Sequence, residues 1–152
     1  YGDFVKMTSA GVVTLDNGTA TLTPIGVFMG CSYTDPNTKQ LTFSQFYPAS
    51  TVASDISAYV LNDPFVELRM QGDATLAQTA LGNNAAVVQT AGSTSIGRSK
   101  NSVDSSTIAT TNTLPVKIIE FIDGPDSAVG DGFTDVIVMF NVGHQLLNTT
   151  GI

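Results

Sequence analysis

The chain has 152 residues, 42% of them apolar and only 12% charged, with six Lys or Arg against thirteen Asp or Glu and a net charge of −7. That length suffices for one domain with a real core, while the charged share is about half the roughly 25% of an average soluble domain. Six scattered cations argue against nucleic-acid or anionic-membrane binding, which needs clustered Lys and Arg, no run approaches the ~18 apolar residues of a membrane span, and a lone Cys31 leaves no intrachain disulfide.

In chain order the pattern reads as strands. "FVKM" (4–7) and "GVVTL" (11–15) flank a "TSA" turn, and "DNG" (16–18) is a hairpin signal because Asn-Gly supplies positive φ. "TATLT" (19–23) alternates with period two, so a strand is expected there. "IGVFMGCSY" (25–33) is apolar throughout and reads as a strand buried on both sides, with Cys31 as a small buried hydrophobe. "TDPNTK" (34–39) is a loop tip and "QLTFSQFY" (40–47) a returning strand.

Further strands are expected at "ISAYVL" (56–61) and "PFVELRMQ" (64–71). In the second, Val66, Leu68 and Met70 share a core face opposite Phe65, Glu67, Arg69 and Gln71. The segment 72–113 is read as a polar flap. It holds a short helical turn ending at Gly82, then polar strands anchored by Ile96, Val103 and Ile108. "LPVKIIEFI" (114–122) and "FTDVIVMFNV" (133–142) are the strongest strands, with Val136, Val138, Phe140 and Val142 as one apolar row. The expected fold is all-β: a single domain over 1–152, a compact barrel or sandwich of roughly eight to ten strands.

"DGPDSAVGDGFTD" (123–135) carries four aspartates, but counted as a calcium loop from Asp123 it puts Pro125, Ala128 and Thr134 where an oxygen ligand, Gly and Glu belong. A turn between two strands explains it better, and no metal or cofactor is expected. His144 is the sole histidine and has no nucleophile elbow beside it, so a structural role is expected. Glu67 and Glu120 could serve as a glycosidase pair, but Glu67 shares an exposed face with Arg69, where an ordinary cross-strand ion pair is expected, and there is no Trp to stack on a sugar. The sequons at Asn17 and Asn148 are short enough to arise by chance. No catalytic residues are expected. Phe43, Phe46 and Tyr47 in "QLTFSQFYP" put aromatics on both strand faces, Phe43 and Tyr47 on one and Phe46 on the other, and are the candidate protein–protein contacts.

Four stretches carry a family resemblance: "AYVLNDPFVELRMQGD" (58–73), the "GN" of "LGNNAAVV", "GSTSIGRSKNSVDSST", and above all "VKIIEFIDGPDSAVGDGFTDVIVMFNVGHQ" (116–145). The "N-D-P" step into a strand ending in "Q-x-D", and the "G-P-D" to "G-D" turn before the last strand and its "H-Q", are the most specific. In these the chain resembles a family of tailed-phage virion proteins described as head decoration (cement) proteins. The resemblance implies a β-rich homotrimer on the capsid surface, bound to the major capsid protein, without catalytic residues. It also implies an N-terminal arm ahead of Tyr1. A carbohydrate-binding or adhesive β module is the alternative, and a hydrolase built on His144 and a carboxylate is a weaker one.

Overall fold

The computed structural model describes residues 1–93 and 95–145. It is all-β, with 35% of the chain in strands and 4% helical. Among the described residues eleven strands are formed, rather than eight to ten, because several are only two residues long. The first sheet holds β1 (Phe4–Met7), β2 (Val13–Leu15), β3 (Gly26–Thr34), β4 (Leu41–Ser44) and β5 (Ser57–Leu61). The nine-residue β3 organises it: its start pairs with β1, its end with β4, and its other edge with β5 from Val27↔Leu61 to Ser32↔Ser57. The second sheet runs β6 (Leu68–Gln71), β11 (Asp135–Phe140), β10 (Val116–Phe121), β7 (Asn84–Ala85), all antiparallel. A ribbon of β8 (Val87–Val88) and β9 (Ser102–Val103) stands beside it.

The core lies on one face of the second sheet. Val116 and Ile118 of β10 and Val136 and Val138 of β11 are wholly buried, as period-two alternation requires. Ile119 is an extra residue in β10, so Glu120 comes to face Ile137 and Phe121 to face Val136. Met70, Leu76, Ala85, Val87 and Val103 complete the cluster. From the strands of the first sheet only Phe4 and Val27 join it, with the Phe4 ring edge-on to Phe140 at 5.6 Å between centroids. The sheets thus form a sandwich over adjoining portions only.

Three expected features differ. "TATLT" is not a strand. Its residues wrap around Asp16, whose carboxylate accepts Gly18 N–H at 3.0 Å and Thr23 N–H at 2.9 Å, and Leu22 plugs the core at 0% exposure. The row along β11 stops at Phe140, leaving Val142 84% exposed. There the Asn141 side-chain amide donates to Leu114 O at 2.7 Å, its backbone N–H still reaches Pro115 O at 2.8 Å, and the chain turns away over 142–144. The segment 72–113 contributes more core than a flap would: it buries Leu76, Ala80, Ala85, Ala86, Val87 and Val103 and packs Ile108 against the core. Within it 90–93 and 95–100 stay largely solvent-facing, Ile96 included. The expected helical turn is the 3-10 turn Gln78–Ala80, followed by Gly82 at φ +78.

Asp55 ties the chain entering β5 to the end of β3. Its carboxylate accepts Thr34 Oγ1–H at 2.6 Å and Thr34 N–H at 3.1 Å, which holds its pKa below the ordinary value. The folded state therefore favours the ionised form. Its stabilisation is complete above the ordinary carboxylate pKa of about 3.9 and is lost as pH falls through the lower folded value. The melting-temperature gap between the parent and Asp55→Ala should accordingly be full at neutral pH and shrink in strong acid. A gap that stays constant with pH would rule out this linkage.

Candidate functional site

Because paired residues share a face, the β3 registers divide the first sheet's side chains. Phe4, Val27, Tyr59, Leu61, Ser32, Phe43 and Leu41 lie on one face; Val5, Val13, Leu15, Phe28, Cys31, Tyr33 and Ala58 lie on the other. The first face meets the core only near Phe4 and Val27. Farther along it Leu41 is 62% exposed and Phe43 69%, and Tyr59 is about half exposed. The Ser32 hydroxyl and Tyr59 OH lie 3.0 Å apart on that face.

The second face forms the floor of an apolar groove of about 590 Å³, lined by Val13, Leu15, Phe28, Cys31, Ile56 and Ala58 and walled by Phe46, Tyr47 and the loop around Gly97. Here the structure corrects the expected faces of the aromatics. Phe46 and Tyr47 both border this groove, whereas Phe43 points from the opposite face. The strand ends at Ser44, and the bend at Gln45 and Phe46 resets the alternation that a longer strand would have kept. Tyr47 packs edge-on to the buried Tyr33 at 5.8 Å and its hydroxyl donates to Thr51 O.

The groove wall is held by one side-chain and several backbone hydrogen bonds. Gln45 Nε2 donates to Ile96 O at 2.7 Å, Ser99 N–H to Tyr1 O at 2.8 Å, and Ser93 N–H to Arg98 O at 2.9 Å. Gly97 has φ +64, and a Cβ there would run into the Phe46 ring, so only glycine allows the loop to lie flat on that aromatic. Cys31 is 2% exposed, its Sγ lies 3.7 Å from Phe46 O, and burial pushes its thiol pKa up. A thiol held protonated is a poor nucleophile, in keeping with the buried hydrophobe expected from sequence.

The acidic loop is built from its own aspartates. Asp131 accepts Ala128 N–H at 2.8 Å, and Ser127 Oγ accepts Asp135 N–H at 2.9 Å. Asp135 pairs with Arg69 at 2.5 Å and also accepts from Gln71. The cross-strand ion pair expected on this face is thus made by Arg69 with Asp135, diagonally across the ladder, while Glu67 precedes β6. Among the described residues no three His, Cys, Asp or Glu side chains group as metal ligands.

His144 also has a structural role, as expected. Its Nδ1–H donates to Leu22 O at 2.8 Å. The wholly buried Gln145 donates from Nε2 to Ile25 O at 2.8 Å and to Asn62 O at 3.2 Å. Glu120 sits on the outer face of the second sheet opposite Ile137, and Glu67 borders a second cleft of about 470 Å³ between the sheets. Asn17 is in an exposed turn, and the Asn148 sequon lies outside the described residues.

Sequence reasoning found two of the groove aromatics but missed its floor. Val13, Leu15 and Ala58 are ordinary strand residues, and only the pairing through β3 sets them side by side. The available signal was that strands of the first sheet carry apolar side chains at both parities. No family model, no curated protein and no solved structure matches the chain.

Proposed function

We propose that the protein is a capsid decoration protein of a tailed phage: a non-enzymatic virion component that sits on the head exterior as a homotrimer and clamps subunits of the major capsid protein. What carries this reading is the first sheet, which leaves large apolar side chains uncovered on both faces, with Phe43 69% exposed on one and Phe46 and Tyr47 bordering the groove on the other. Single exposed hydrophobes are ordinary, but contiguous ones bordered by polar groups mark contact surfaces. The resemblance of residues 116–145 to decoration proteins, and the low charge density, agree with it.

The groove also supports a second reading, a carbohydrate-binding or adhesive module, because Phe46 and Tyr47 are half-exposed rings beside a cleft. Its floor is nearly all aliphatic and aromatic, with Asp3, Thr14, Ser93 and Arg98 also bordering the groove, and the apolar floor favours a protein segment.

Mass measurement in solution and co-sedimentation with capsids stripped of accessory proteins test the proposal. A trimer that binds saturably in a fixed ratio is expected. Phe43→Ser, which touches no core residue, should weaken binding about tenfold, as loss of an aromatic contact of ~1.4 kcal/mol would. A monomer that ignores capsids, but is retained by a glycan surface, would replace the proposal with the second reading.

A further inference from the structure

Asn17 is the one asparagine in the chain followed by glycine. In an open chain that dipeptide is chemically labile. The Gly18 backbone nitrogen, with no side chain to hinder it, attacks the carbonyl carbon of the Asn17 side chain. The new C–N bond closes a cyclic imide, and the side-chain nitrogen leaves as ammonia, carrying the proton that the amide gives up. Water then opens the imide at either of its carbonyls. One opening leaves aspartate; the other leaves isoaspartate, with the main chain rerouted through the former side chain.

The fold exposes Asn17 to water yet holds the residues on both sides of it. Gly18 N–H donates to Asp16 Oδ1 at 3.0 Å, so the attacking nitrogen is already engaged. Removing its proton would set a second negative charge beside a carboxylate that is only 3% exposed, which opposes the step. Gln89 Nε2 donates to Asp16 O and to Gly18 O, both at 3.0 Å. Both partners are carbonyl oxygens, so only the NH2 end of the Gln89 amide can face them. One side chain, more than seventy positions later in the chain, thus staples the peptide units that flank Asn17. Asp16 is itself anchored, its N–H donating to Phe4 O at 2.9 Å.

Gly18 is also closely packed. A Cβ there would lie 2.8 Å from Leu22 N and Cα, and Leu22 is wholly buried in the core. Closing the imide swings the Gly18 nitrogen onto the Asn17 side chain. That motion breaks the bonds to Asp16 and Gln89 and lifts Gly18 off Leu22. Isoaspartate adds a methylene to the main chain between residues 17 and 18, so the product cannot restore those contacts. Ordinary aspartate leaves the main chain unchanged and can.

We propose that Asn17–Gly18 is a latent modification site, closed to deamidation in the native state by the clamp of Asp16 and Gln89 and opened when this loop loosens. Isoaspartate formed during an opening then keeps the loop from closing again. The inference stands apart from the decoration reading and does not depend on it.

The test holds the intact protein in mildly alkaline buffer, native and in guanidinium chloride. The peptide carrying residue 17 is followed by mass spectrometry, with aspartate and isoaspartate separated by chromatography. Native protein should convert about a hundredfold more slowly than denatured protein, the scale of an opening that breaks several hydrogen bonds together. Gln89→Met keeps the side-chain length without the donor. It should speed native conversion about tenfold and leave the denatured rate unchanged. Ile118→Ala, which weakens the core away from the clamp, should leave the native rate unchanged, because the opening is local. The isoaspartate form should melt below the parent, whereas Asn17→Asp should melt within about 2 °C of it. Equal rates in native and denatured protein, no acceleration in Gln89→Met, equal acceleration in Ile118→Ala, or an isoaspartate form as stable as the parent would each overturn the proposal. The comparison of native with denatured parent decides even if Gln89→Met fails to fold.

Discussion

Ile118→Ala is expected to lower the unfolding free energy by about 3–4 kcal/mol, within the range for a large-to-small change in a closed core. The side chain is 0% exposed and lies in β10, between β11 and the chain at Asn83. Its backbone is tied on that side by Ile118 N–H to Asn83 O and Gly82 N–H to Ile118 O, both 2.9 Å, so the site cannot collapse to fill the void. For a domain of this size such a loss is a drop of about 10 °C in Tm. The control is the next residue. Ile119 sits in the bulge and is 36% exposed, so Ile119→Ala should cost under about 1 kcal/mol. Urea melts of the two variants decide the matter. Equal losses, or a larger loss at position 119, would mean that the bulge is placed wrongly and Ile119 faces the core.

The second large effect is expected at Asp16. Its side chain is 3% exposed and accepts two backbone N–H groups, from Gly18 and Thr23. Asp16→Ala should cost about 2–4 kcal/mol, because stranding a buried donor costs ~1–3 kcal/mol. Asp16→Asn keeps one acceptor oxygen and should recover about half of that loss. The Lys6 ammonium, 3.7 Å away and 44% exposed, adds little to either figure. Thermal melts in low and high salt check this. If raising the salt erased the cost of Asp16→Ala, the ion pair and not the turn would be responsible.

How far the sequence could be read depended on where each segment's hydrogen bonds go. β10 and β11 were legible because a run of β-branched residues with period-two burial has few other uses, and β1 matched its expected span because "FVKM" is closed by turn residues on both sides. "TATLT" misled for the opposite reason: its alternation is genuine, but the Asp16 carboxylate claims Gly18 and Thr23, and a side-chain acceptor leaves no mark on hydropathy. The faces of Phe46 and Tyr47 could not be counted from Phe43, because parity survives only while the strand does. Nor could the groove floor be foreseen. It is assembled by β2, joined to β3 through β1, and by β5 on the other edge of β3, a property of long-range pairing and not of any local pattern.

The clasp formed by His144 and Gln145 has a kinetic consequence. Their partners Leu22 and Ile25 lie more than a hundred positions earlier in the chain, at separations of 122 and 120 residues, and β6 pairs with β11 across more than sixty. Ordering such distant partners costs loop-closure entropy before any contact returns it, and folds of this kind reach the native state in milliseconds to seconds instead of microseconds. On the ribosome the first sheet would emerge well before the residues that lock its loops, which lie more than a hundred positions later. Throughout that interval its uncovered apolar faces would depend on chaperones or on prompt assembly to stay apart.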